Sequence, residues 1–139
     1  MNDRGSATAE AVFAIPAIVL ILLLGVAAGR VTVATAAVEA AARDAARQAS
    51  IARNASAAQT NATASAVASL NSQGVNCAGL KVRVDTSGFG TAVGTPASVS
   101  ATVSCSVLLG DVAFPGLPGS VQRQATFTSP LDPYRGRGP

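Results

Sequence analysis

Nineteen consecutive uncharged residues, Ala11 to Gly29, constrain this 139-residue chain more than any other feature. They read AVFAIPAIVLILLLGVAAG and lie between Glu10 and Arg30. At the helical rise they form a rod of about 28 Å, the thickness of a bilayer's hydrocarbon layer. A soluble fold would have to wrap that rod on every side. A secretory signal peptide is the competing reading, with Ala34-Thr35-Ala36 as a small-x-small cleavage site. Its apolar core is ordinarily shorter and its leader positive, whereas here Asp3 cancels Arg4. Arg4 and Arg30 flank the run almost symmetrically, so positive charge barely signals orientation. The only cysteines, Cys77 and Cys105, both follow the run. A pair of this kind suits an oxidising compartment, which puts the N-terminus inside and the C-terminal part outside the cytoplasm.

Inside the run, Gly25 and Gly29 form a G-x-x-x-G pair that would let a second helix approach closely. Gly and Ala are also common in such spans without that role. Pro16 removes one helical hydrogen bond and is expected to kink or loosen the helix. Glu10 stands at the edge of the run, after Ser6-Ala7-Thr8-Ala9. One reading makes it an interfacial first-turn acid favoured by the helix dipole. The other makes it a membrane-embedded acid that needs a cationic partner, because a charge at a span's centre costs about 3 kcal/mol. No Lys or Arg lies at helical spacing from it, so that partner would be another chain or a new N-terminus.

The opening Arg4-Gly5-Ser6-Ala7-Thr8-Ala9-Glu10, followed by Pro16 and a Leu-rich run, resembles the N-terminus of a type IV pilin-like precursor. More narrowly it resembles the TadE-like pseudopilins of tight-adherence (Flp) pilus systems. The stretch Ala41-Ala42-Arg43-Asp44-Ala45-Ala46-Arg47 and the ending Ser129-Pro130-Leu131-Asp132-Pro133-Tyr134-Arg135 are similar to segments of that family. The resemblance implies that a prepilin peptidase cuts between Gly5 and Ser6. Glu10 then becomes the fifth residue and pairs with the N-terminal amine of a neighbouring subunit. Where family members often carry an aromatic directly after the Glu, this chain has Ala11, with Phe13 two positions later.

From Val31 to about Leu70 the chain is free of Gly and Pro and rich in Ala, the best helix former. Glu39, Arg43 and Arg47 share one stripe, with Glu39 and Arg43 in the favourable i,i+4 order. Val38, Ala41, Ala42, Ala45, Ala49 and Ala52 form an opposite, small-sided stripe. The pattern predicts one helix continuing out of the membrane to about residue 53, then weakened by Asn54, Ser56, Thr60, Asn61 and Thr63. Asn54-Ala55-Ser56 and Asn61-Ala62-Thr63 match the glycosylation sequon and are read as unmodified surface residues. Gly74 is the expected end of the helical region.

Strand signals follow. Leu80, Val82 and Val84 alternate with Lys81, Arg83 and Asp85. Ala97, Val99, Ala101, Val103, Cys105, Val107 and Leu109 alternate with Ser and Thr, and Val121 to Phe127 is a weaker third strand. Glycines and prolines punctuate the linkers. A core this poor in aromatics needs a covalent staple. A Cys77–Cys105 bridge would close a loop of about 29 residues and add about 3.5 kcal/mol. A redox pair is the alternative, but C-x-x-C spacing is absent and no His can activate a thiolate.

Composition narrows the function. With no His, most zinc sites and His-based catalysis are excluded. Aromatics make up 4% of the chain, too few for the walls of an ordinary ligand pocket. The net charge of +3 is spread along the chain, too thin for a nucleic-acid footprint. The glycines at 88, 90 and 94 lack phosphate-loop spacing, and the Arg135-Gly136-Arg137-Gly138 tail is a solvated end. The expected fold is α+β: a long N-terminal transmembrane helix continuing into an Ala-rich helix, packed on a small antiparallel sheet. The expected divisions are a leader (1–5), a span (6–30), an extracytoplasmic helix (31–74), a β domain (75–131) and a flexible tail (132–139). The expected protein is not an enzyme and takes no cofactor, small-molecule substrate or nucleic acid. By resemblance it is a minor pilin-like subunit of a Tad/Flp-type pilus or related secretion machine in the bacterial inner membrane. Its partners would be the membrane, other pilin-like subunits, pilus assembly proteins and a prepilin peptidase. The alternative is a membrane-anchored or secreted binding protein with no pilus role.

Overall fold

A computed structural model describes residues 4–112, 116 and 118–136, and of residues 4–11 and 112 the backbone alone. The fold is α+β. Helix α1 (Arg4–Ser50) runs unbroken through Pro16 and is followed by helix α2 (Ala55–Ser72). Strands β1 (Lys81–Asp85) and β2 (Ala97–Leu108), a single turn of helix α3 (Leu109–Val112) and strand β3 (Ser120–Leu131) complete it.

The stretch 31–74 is therefore two helices rather than one. α1 stops at Ser50, the chain turns through Ile51–Arg53, and α2 returns alongside it. Asn54, expected to weaken a helix, begins one instead. Its backbone is extended (φ −147°, ψ 167°) and its side-chain oxygen accepts the Ala57 N–H at 2.7 Å. The hydroxyls of Thr60 and Thr63 bond back to the carbonyls of Ser56 and Gln59, so these side chains stay on the exposed face without breaking the helix. The opposite face of α2 carries Ala58, Ala62, Ala66 and Leu70 at four-residue spacing, all buried. They pack with the buried stripe of α1 that runs from Ala34 to Ala49. Packing of two Ala faces thus overrides the local preference of Ser, Thr and Asn. The Ser69 hydroxyl donates to the Asp44 carboxylate at 2.8 Å and links the two helices at the surface.

Gly74 closes α2 at φ +67°. Its N–H bonds to the Asn71 carbonyl, and that of Val75 to the Leu70 carbonyl, a Schellman ending that favours glycine.

The three strands form one antiparallel meander in the order β1-β2-β3. Val99, Ala101, Val103, Cys105 and Val107 of β2 are buried beneath the helices, as their alternation requires. Helix α1 lies over β2 and β3, and α2 over β1. The strand ends at Leu108, so Leu109, expected on its core face, opens α3 instead. Strand β3 is longer than its Val121–Phe127 core and continues through Pro130 to the buried Leu131. Pro130 is tolerated because β3 is an edge strand and needs no N–H donor on its outer side.

Cys77 and Cys105 are joined in a disulfide that ties the α2–β1 connection to the C-terminal third of β2. The Ala78 N–H to Ser106 carbonyl bond, at 2.9 Å, seats the same connection. Gly88 sits where a Cβ would run into the Ser98 carbonyl oxygen, so the 3₁₀ turn over Ser87–Gly90 can approach β2 only with glycine there. The segment after Leu131, expected to be loose, is held as far as Arg135. Gly94 donates to the Pro133 carbonyl at 2.7 Å and Arg135 Nη1 to the Ile51 carbonyl at 3.0 Å. Residues 137–139 lie outside the described residues.

Candidate membrane anchor and assembly surface

The first described side chains of α1 have no cover among the described residues. The large apolar residues from Val12 to Val26 are 44–79% exposed, and the domain core begins only at Ala34. This helix is long and apolar enough to cross a membrane, with a mean hydropathy of 2.7 in its most apolar window. In water such a surface would be an aggregation hazard; in lipid it is solvated. Gly25 and Gly29 lie on this part of α1, and a Cβ at either would meet no atom within 4 Å. The backbones of Gly5, Ser6 and Glu10 lie in α1, and the side chains of Ser6 and Glu10 lie outside the described residues. Gly5, Ser6 and Glu10 thus stand on the anchor end of the helix, and the Cys77–Cys105 bridge stands in the domain.

The domain presents two further surfaces, of which the sequence pattern revealed only the first. The first is the outer face of the sheet, which is polar except at Leu108 and Pro130. Thr102 and Thr126 hydroxyls meet at 2.8 Å, and the Ser104 hydroxyl donates to Gln124 Oε1 at 3.1 Å. The second is the unlike treatment of the two sheet edges. At the β1 edge the Gln59 side chain substitutes for a missing strand: Nε2 donates to the Val82 carbonyl and Oε1 accepts from the Val84 N–H, both at 3.1 Å. The β3 edge has no such cover among the described residues. Gln59 carries no pattern signal, because its partner strand is more than twenty residues away.

Electrostatics are sparse. The i,i+4 relation of Glu39 and Arg43 does not produce an ion pair among the described residues; Arg43 instead stacks its guanidinium 5.4 Å from the Phe127 ring centroid. The amide and hydroxyl of Ser87 hold the Asp85 carboxyl below its ordinary pKa, the backbone N–H donating at 3.0 Å.

Residues 5–47 match the family model described as TadE-like protein, a family associated with the Tad pilus. The match covers the N-terminal motif, the apolar span and α1 as far as Arg47, and leaves α2 and the sheet outside it. No curated protein and no solved structure matches the chain.

Proposed function

We propose that this chain, TadE-like over residues 5–47, is a pilin-like minor subunit of a Tad/Flp-type pilus or a related secretion machine. The single observation that carries this reading is the extent of the match. It begins at Gly5, includes Glu10 and the whole span, and ends inside the domain. Anchor and motif are thus matched as one unit, which a generic membrane helix would not require.

In this reading a prepilin peptidase hydrolyses the Gly5–Ser6 bond. Gly5 has no side chain to obstruct a tight protease groove. Water supplies the new Gly5 carboxylate and the new Ser6 amine, which is cationic near neutral pH. Glu10 becomes the fifth residue of the mature chain and pairs with the amine of a neighbouring subunit. A charge pair in low dielectric is costly to leave open, so it sets register between subunits. Gly25 and Gly29 form the face on which adjacent helices approach. The span holds the protein in the inner membrane with its N-terminus in the cytoplasm. The disulfide-bearing domain stands outside, where oxidation is possible. The role is structural, with no reaction at the chain's own side chains.

The test is intact mass and N-terminal sequencing of the protein from its native cell. A chain beginning at Ser6 is expected. A start near Val38 would instead mark a secreted product, and a retained Met1 a plain anchor; either overturns the proposal. Glu10→Ala is expected to insert normally but to lose co-purification with other pilus components.

A further inference from the structure

At the point where α1 leaves the apolar run, a groove of about 380 Å³ opens between the helix and the base of the domain. Val26, Gly29, Arg30 and Val33 of α1 form one wall; the other includes Asn76 and Asp111. The groove is continuous with the exposed side of the span, since Val26 is 55% exposed. A hydrocarbon layer of about 30 Å takes about 20 helical residues. Measured from Ala11, it ends at Arg30, so the groove straddles the membrane surface. Val26 lies on the span side of Arg30; beyond Arg30 the lining is mixed, with Val33, Val75 and Val107 beside Asn76 and Asp111.

Two opposite charges face this groove. Arg30 reaches across its mouth, Nη1 lying 3.4 Å from the Asp111 backbone carbonyl, and its remaining N–H groups have no acceptor among the described residues. The Asp111 side chain is exposed and lines the same groove. A guanidinium presents a fork suited to phosphate oxygens, and a carboxylate accepts from an ammonium. An anionic headgroup would be attracted by one and repelled by the other. A zwitterionic headgroup satisfies both.

We propose that this groove binds one phospholipid with an amine-bearing zwitterionic headgroup, of the phosphatidylethanolamine type. Its phosphate lies on Arg30, its ammonium on Asp111 and its acyl chain along Val26 toward the span. The bound lipid fills the space between span and domain and fixes the height of the domain on the membrane. The proposal rests on the reading of α1 as a membrane anchor and is independent of any pilus role.

The test uses the full chain in vesicles of equal parts phosphatidylethanolamine and phosphatidylglycerol, with the photoreactive residue p-benzoylphenylalanine placed singly. Replacing Ile21 probes the span, Asn76 the groove and Gln48 the aqueous face of α1. After irradiation, intact mass identifies each adduct. Lipid adducts are expected at 21 and 76 and not at 48, with phosphatidylethanolamine several-fold enriched at 76 and no enrichment at 21. Arg30→Gln is expected to lower the adduct at 76 several-fold and leave that at 21 unchanged. Asp111→Asn is expected to erase the headgroup preference at 76. Adducts at 21 with none at 76, both lipids at 76 in vesicle proportion, or a cross-link at 76 to a second copy of the chain would each overturn the proposal. No adduct at 21 would overturn the anchor reading itself.

Discussion

The two halves of α1 belong to one continuous helix and are hydrophobic for different reasons. From Val12 to Val26 the side chains are large and exposed. From Ala34 to Ala49 they are mostly Ala, and those facing the domain are fully buried. The more hydropathic half is thus the less buried one. Large branched side chains suit a lipid solvent, where area against hydrocarbon is what counts. Alanine suits contact with another helix and a sheet, where short side chains let backbones approach. Hydropathy alone does not report which of these partners a segment has.

If the halves serve different solvents, they should fail separately. The largest effect is expected from removing the disulfide with Cys77→Ser and Cys105→Ser together, which should cost the domain about 3.5 kcal/mol. Thermal unfolding followed by circular dichroism should show it, while resistance to alkaline extraction from membranes stays unchanged. Loss of both would mean that anchor and domain are one cooperative unit. The converse variant is Leu20→Arg, which places a charge in mid-span at about 3 kcal/mol of insertion free energy. Its expected outcome is a sharply reduced membrane-integrated fraction in flotation assays.

A smaller effect sharpens the contrast in side-chain size. Ala45 is fully buried, so Ala45→Leu should overpack the interior and cost about 2 kcal/mol in chemical denaturation. Leu22→Ala removes a larger group from an exposed site and should leave domain stability untouched. Equal effects would erase the distinction between the halves.

The smallest effect concerns pH. The folded state holds the Asp85 carboxyl below its ordinary pKa through Ser87. The carboxylate form is therefore favoured by folding. Its contribution is fully present above the ordinary value and is lost as pH falls through the lowered one. Asp85→Asn should flatten the acid side of the stability profile slightly, measured as unfolding midpoint against pH.

Much of this architecture is legible in the residues. Nineteen uncharged residues mark the span, and alternation over 97–107 places Cys105 on the buried face of β2. Gly74 marks the end of the helical region because its positive φ is a backbone demand. The helix pair was not legible. Asn54, Thr60 and Thr63 weigh against a helix locally, and only contact with the Ala face of α1 reverses that balance. Arg43 likewise has a favourable partner four residues away in Glu39, yet stacks on Phe127, which sequence distance hides.

Sequence by itself determined the elements whose cause is local: a run long enough to span a bilayer, a two-residue alternation, a glycine where φ must be positive. Tertiary structure decided which of those elements meet. It folded α2 back on α1, let Gln59 close one sheet edge while the β3 edge stays open among the described residues, and set Arg30 and Asp111 on one groove. These outcomes depend on side chains far apart in the chain, and their free energies appear only once the backbone has brought them together.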